Sequence, residues 1–413
     1  MKFKQLFIFL VICQLSIQAQ TKILFDATKA EMAGNADWVI DADIFNISFA
    51  GGPASIGGNE SNPQRFPTPS QSGVLASTTE NFWKGGISAW AIDCAKLGYV
   101  VETLPYNGQI TYGNALNIQD LSNYKVFVLV EPNIQFTATE KTAIITFVQN
   151  GGGLFMVADH NISDRNNDGI DAPLVLNDLV NNNSVVINPF GIVYDNNNTS
   201  NITSSNVANL PLDPVLNGSF GSVTQLKYSQ GSSMTINTSV NSNAKGLIFT
   251  TGSSITGLTN VLFATSTYGS GKIAALGDSS PADDGTGDTN DNLFFGYSDL
   301  AGNHQKLIMN ATVWLTTSNL ATNDFELNEN NFYVTQNPVD NKEFKLNYVC
   351  KENTNFSIII YDLMGRITQT AKFSNSEIGL NLFNLELQEL NSGIYFCKIT
   401  SDFGSKNIRF IVK

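Results

Sequence analysis

The sequence predicts an α/β unit built on a mainly parallel, doubly wound sheet with a β-rich insertion, followed by a small C-terminal β-sandwich. Three observations predict it. Five strand candidates between residues 21 and 318 are short, nearly unbroken apolar runs, and helical stretches fall among them. Strands of that kind are covered on both faces, as in parallel sheets. Residues 183–262 are instead rich in Asn, Ser and Thr with short β-like runs such as VVINPF, KGLIFTT and TNVLFAT. Beyond residue 332 only alternating strands remain, spaced about 8–12 residues apart in the manner of a small sandwich. A chain of 413 residues has room for two or three domains.

The elements follow in order. Residues 1–19 read as a signal peptide: Lys2 and Lys4 precede an apolar run from Leu6 to Ile17, and Ala19 offers a cleavage site. The run is too short to span a bilayer, and no later segment approaches 18 apolar residues, so no transmembrane segment is expected. The α/β domain is expected over 20–318. Its strands are KILFDA (22–27), YVVETLP (99–105), KVFVLVEP (125–132), LFMVAD (154–159) and KIAALGD (272–278). A helical stretch is predicted from about Thr79 to Leu97. A second helix begins at Ala138, where Thr137 and Glu140 have the spacing of a capping box. It ends at Asn150-Gly151-Gly152-Gly153, where positive φ is easily taken. A last helix runs from His304 to Trp314. Residues 319–332 form a polar linker, and 333–413 form the sandwich.

Composition narrows the function. Apolar residues make up 42% and charged residues 14%, against an ordinary charged share of about a quarter. With 36 acidic and 23 basic residues the net charge is −13, which repels phosphate and argues against nucleic acid as a partner. Residues 333–413 hold nine basic and eight acidic residues, so the acid surplus belongs to the α/β unit. Four Cys are too few for a disulfide scaffold, and no CxxC pair marks zinc. Cys94 reads as a small buried residue; Cys350 and Cys397, both on predicted strands, could pair.

Four of the five predicted strands end in an acid: Asp26, Glu131, Asp159 and Asp278. In open parallel sheets the binding crevice lies beyond the carboxyl ends of the strands, so these acids gather at one edge. His160 follows one strand end and His304 opens the helix after the last, and these are the only two histidines of the chain. A strand-end Asp also caps turns, which is the structural alternative for each acid. Asp164-x-Asn166-x-Asp168-Gly169 has calcium-loop spacing, although the twelfth position is Val175 and only Asp171 could substitute. Asp278, Asp283, Asp284, Asp288 and Asp291 crowd a second loop, and Glu31, Asn35, Asp37 and Asp41 follow the first strand with Trp38 among them. Such carboxylates repel unless a cation or backbone amides compensate them.

Two family resemblances add to this reading. Asn337-Pro338, IIIYDLMGR (358–366), LNSGIYFCKI (390–399) and IRFIVK occur in the order of the type A C-terminal sorting domain of the Bacteroidetes type IX secretion system, which the tail resembles. That resemblance implies engagement of the secretion machinery through 333–413, passage across the outer membrane, and a secreted or cell-surface destination. NGGGLFMVADH (150–160), GKIAALGDSSPADD (271–284) and NHQKLIMNATVWL (303–315) resemble the class I glutamine amidotransferase-like, flavodoxin-like superfamily, closest to members lacking its catalytic Cys. Asp159 and His160 stand where thiol members carry that Cys, so thiol-based glutamine hydrolysis is not expected.

Three functions fit these residues. One is a secreted metal-dependent hydrolase acting on an extracellular substrate. Asp159, His160, Asp278 and His304 would hold a divalent metal such as zinc or manganese, Asp164, Asn166 and Asp168 would hold calcium, and Glu131 or Asp26 would act as general base. A second is a serine hydrolase, with Ser279 on the Gly277-Asp278-Ser279 turn and His304 beyond it. The third is a non-catalytic calcium- or glycan-binding surface protein.

Overall fold

The computed structural model describes residues 20–33, 36–41, 63–286, 296–317 and most of 332–413. The predicted signal peptide, the linker as far as residue 331, and Asn35, Asp288 and Asp291 lie outside the described residues. The chain divides into two compact units, Met1–Asn319 and Leu320–Lys413.

The first unit is a mixed α/β structure on a nine-stranded sheet. Its main elements are β1 (Lys22–Asp26), α1 (Ser88–Lys96), β2 (Val100–Leu104), β3 (Val126–Val130), α2 (Ala138–Gln149), β4 (Gly153–Val157), α3 (Ala172–Asn181), β5 (Ile192–Tyr194), β6 (Met234–Ile236), β7 (Lys245–Phe249), β8 (Val261–Tyr268), β9 (Gly271–Leu276) and α4 (His304–Thr316). The order is β2–β1–β3–β4–β9–β8–β6–β5, with β7 also on β8. The five predicted apolar strands form its parallel half, β2 through β9. The Asn- and Thr-rich region supplies β5 to β8, which extend the sheet antiparallel from β9. The strand ends are level: Val130 pairs with Val157, and Val157 with Leu276. Glu131, Ala158 and Gly277 therefore leave the sheet side by side.

Burial explains the apolar runs. β3 and β4 are buried along their whole length. Trp90 of α1 fits between Phe25 of β1 and Phe155 of β4, with ring centroids 5.4 and 5.0 Å away and edge-on geometry. Such aromatic pairs add about 0.5–1.5 kcal/mol each beyond area burial. Close packing of α2 on the sheet depends on Gly271, where a Cβ would meet the Val148 carbonyl at 1.9 Å.

The stretch expected to be helical from Thr79 is α-helical only from Ser88. A 3₁₀ turn at Glu80–Phe82 precedes it. Gly85 and Gly86 account for the break: glycine is a poor helix former, and a Cβ at Gly85 would clash with Val39 O at 2.1 Å. The last helix extends two residues past the predicted end, to Thr316.

Considered by itself, the C-terminal unit has two antiparallel sheets. One joins Phe332–Val334, Glu343–Cys350 and Gly379–Glu386; the other joins Ile367–Ser376, Thr354–Tyr361, Gly393–Ser401 and Gly404–Val412. Both contribute to one core of Phe344, Leu346, Ile358, Ile360, Ile399 and Phe410. Cys397 is a free buried thiol within that core, so the suggested pairing with Cys350 is not formed. The two residues lie in different sheets, and burial pushes the Cys397 thiol up to about 12. Among the described residues no helix is long and apolar enough to cross a membrane.

The capping box at α2 is complete. Glu140 N donates to Thr137 Oγ1 (3.3 Å) and Thr137 N donates to Glu140 Oε2 (2.8 Å). Thr137→Ala should lower unfolding free energy by about 1 kcal/mol, measured by urea denaturation, and an unchanged midpoint would show the cap to be idle.

Candidate functional site

The site is assembled at the level strand ends. Glu131 is the first residue past β3. Its N–H still donates to Val157 O (2.9 Å), yet its own φ is +48°, the left-handed region that non-glycine residues seldom occupy. Such strain costs about 1–3 kcal/mol and persists only where surrounding contacts enforce it. Those contacts are present. Glu131 is fully buried, and Oε2 accepts from Trp38 Nε1 (2.9 Å) and Ser279 Oγ (2.7 Å). Oε1 accepts from Arg165 Nε (3.2 Å), and the same guanidinium donates through Nη2 to Asp159 Oδ2 (2.9 Å). Segments following β1, β3, β4 and β9 thus meet on one carboxylate.

Asn133 locks two of these segments together. Its Nδ2 donates to Ala30 O (2.7 Å), Met32 O (3.2 Å) and Glu131 O (3.0 Å). Its Oδ1 accepts from Arg165 N (3.3 Å), and its carbonyl accepts from Asn166 Nδ2 (2.8 Å). Ser279 is set by the turn before it. A Cβ at Gly277 would meet Ser232 O at 1.9 Å, so only glycine lets β9 pass this closely and turn.

The electrostatics follow from burial. Burial first, and then the charge of Asp159, hold the Glu131 carboxyl well above the usual carboxylate range, while Arg165 opposes that shift. Asp159 is bonded by the same guanidinium, so its charge acts on Glu131 at close range. His160 Nδ1 lies 3.1 Å from Asp159 Oδ1 without hydrogen-bond alignment, and this buried nitrogen has no hydrogen-bond partner.

The other acids are placed differently. Asp278 is raised by burial and then by Asp159, but its oxygens accept from Ser280 N (2.9 Å) and Ser229 N (2.7 Å), the capping alternative foreseen for strand-end acids. Asp26 Oδ1 accepts from Thr28 N (3.1 Å), whereas Asp26 Oδ2 and Thr28 Oγ1 are buried without a hydrogen-bond partner. Burial lifts the Asp26 carboxyl from 3.8 to about 6, against the lowering effects of Glu31, Lys29 and Thr28. His304 stands apart from the cluster, with Nδ1 2.8 Å from Gly296 O and Nε2 3.0 Å from Lys227 O. Burial lowers its pKa. In the calcium-spaced loop, Asp164 accepts from Asp168 N (3.1 Å) and Gly169 N (2.7 Å), and Asp168 accepts from Ile170 N (2.8 Å). Asn166 donates to Asp168 Oδ2 (3.0 Å) as well as to Asn133 O. Among the described residues no group of three His, Cys, Asp or Glu side chains is arranged to hold a metal ion.

Strand-end reasoning therefore brings Glu131, Asp159 and His160 together, with Asp278 close enough to feel Asp159. It misses Arg165 and Asn133. Arg165 had a signal, as the single Lys or Arg in DHNISDRNNDGID. Asn133 had none. Trp38, which lies among the acids after the first strand, is buried with its indole on Glu131.

Residues 337–413 match the family model of the secretion system C-terminal sorting domain. This tail marks the chain as a protein exported by type IX secretion. A comparison with curated proteins gives no match. Among solved structures, the chain is similar to one described as "mmIFT52 N-terminal domain", at 14% identity and a TM-score of 0.40, covering 72% of this chain and 99% of that one. It is also similar to "Cytoplasmic Protein STM3548 from Salmonella typhimurium", at 14% identity and a TM-score of 0.39, covering 71% and 98%. At those scores neither likeness bears on function.

Because the folded Asp26 carboxyl lies above its ordinary value, folding takes up a proton there. Its stabilising contribution is complete below about pH 4 and is lost as pH rises through about 6. Asp26→Asn removes this titration. The melting temperature of the variant relative to wild type should rise between pH 4 and pH 7, and a constant difference would contradict the raised pKa.

Proposed function

We propose that the exported α/β unit is a hydrolase acting on an extracellular substrate, with Glu131 as its general base and Asp159 as the second acid held by Arg165. The observation that carries this reading is the strained, fully buried Glu131 held by Trp38, Arg165 and Ser279 at the carboxyl edge of a parallel sheet. Strain of this kind clusters at functional sites, and a carboxyl raised above its usual range by burial suits a base. The parallel strand order β2–β1–β3–β4–β9 has the sequence of the flavodoxin-like doubly wound fold, and ligands of that fold bind at this edge. The order also supports the amidotransferase-like resemblance of the NGGG and GKIAALGD segments.

This centre uses the chain's own acids, unlike the metal-dependent version expected from strand ends alone. His304 is engaged by two carbonyls away from the cluster, and Asp278 by two amides. A second reading, a non-catalytic binding protein, is favoured by one observation: Arg165 covers a face of both carboxylates and ties down the 160–171 loop as a structural clamp would.

The two readings separate in one experiment. The secreted chain is assayed against ester, amide, glycoside and phosphoester substrates with and without EDTA. Glu131→Gln, which keeps shape but replaces one acceptor oxygen with a donor, should cut kcat by about 100- to 10,000-fold with a near-native circular dichroism spectrum. Wild-type activity should survive EDTA. Absence of any turnover across the panel, or an unchanged kcat in the variant, would favour the clamp.

A further inference from the structure

We infer that Ser279 is a nucleophile and that the substrate class is a carboxylic ester or amide; this rests on the hydrolase reading above. Ser279 follows β9 on the Gly277-Asp278 turn and is fixed there from both sides. Gly277 O accepts from Ser232 N (2.7 Å), Gly277 N donates to Tyr228 Oη (2.9 Å), and Asp278 is held by the Ser280 and Ser229 amides. Its Oγ donates to Glu131 Oε2 at 2.7 Å, the reach a base needs to take the hydroxyl proton. The sequence suggested His304 as the partner of this serine. Both nitrogens of that imidazole face backbone carbonyls, Gly296 O and Lys227 O, and the carboxylate occupies the base position instead.

The pair behind the serine fits the step. Glu131 and Asp159 are bonded by one guanidinium, which offsets the charge of the base. When Ser279 Oγ attacks the carbonyl carbon, an O–C bond forms and the hydroxyl proton passes to Glu131. The carbonyl electron pair goes to oxygen. Arg165, on the other oxygen of Glu131, places a cation beside that charge. Two of its five guanidinium donors are spent on the carboxylates, and its side chain is 26% exposed, more than either partner. Collapse breaks the bond to the leaving alcohol or amine, which departs with the proton from Glu131. Water then attacks the acyl-serine, gives a proton to Glu131, and releases the acid as Ser279 regains its hydrogen. Glycosides fit this arrangement less well. Glycoside hydrolysis needs two carboxyls set about 5 Å or more apart across the scissile bond, and these two are in mutual contact.

The test is active-site labelling of the full secreted chain with a fluorophosphonate, read by intact mass and peptide mapping. Wild type should gain one adduct, at Ser279. Ser279→Ala should gain none, Ser280→Ala should label like wild type, and Glu131→Gln should label at least 100-fold more slowly. An adduct elsewhere, no adduct on folded wild type, or equal labelling of Glu131→Gln overturns the assignment. The outcomes also separate the two proposals. Turnover that depends on Glu131 without an adduct at Ser279 leaves the hydrolase standing and removes the nucleophile. An adduct at Ser279 without turnover of any substrate does the reverse.

Discussion

Arg165 reaches from a loop after β4 to two buried carboxylates, Glu131 and Asp159, and the carboxyl edge depends on that bridge. Two acids in contact cannot both ionise away from water unless a cation or a proton compensates them. Here one guanidinium bonds both, and burial raises the Glu131 carboxyl well above the usual carboxylate range. The bridge explains why Glu131 tolerates a left-handed backbone: its side chain is fixed by Trp38, Ser279 and Arg165 at once. It also explains why a loop so rich in Asp holds its position. Asp164, Asp168 and Asp171 turn onto the loop's own amides, while Arg165 and Asn166 anchor the loop to the end of β3.

The fold supplies the geometry for this chemistry. Level pairing of Val130, Val157 and Leu276 brings the next residues of three strands out of the sheet together. Tyr228, on the strand Leu226–Gly231 that pairs with Thr199–Ser204 apart from the large sheet, and Ser232 just beyond it supply the contacts that fix the turn before Ser279. The parallel half of the large sheet presents the acids, and this neighbouring segment fixes the turn that aims the hydroxyl.

Much of this was legible in the sequence, for identifiable reasons. The five parallel strands are apolar runs because they are buried on both faces, and the capping box at Thr137 is a local signal that local contacts satisfy. The sorting tail was readable from ordered motifs. Which acid did what was not legible. Asp278 and Glu131 each follow an apolar strand, yet one meets two amides and the other meets Ser279, Trp38 and Arg165. That difference arises from residues more than 90 positions away, Trp38 and Ser279 from Glu131, and no local pattern encodes it. The histidines misled for a related reason. His160 joins the cluster, but His304 is drawn to carbonyls of Gly296 and Lys227.

The buried carboxylate centre is tested most directly by removing its cation. Arg165→Met keeps the length of the side chain and leaves two buried acids without their guanidinium. Unfolding free energy, measured by urea denaturation from pH 5 to pH 8, should fall by about 3–5 kcal/mol at the upper end. The loss should shrink toward pH 5 as Glu131, raised by burial, takes up a proton. A small loss independent of pH would contradict a buried, charge-balanced pair at the strand ends.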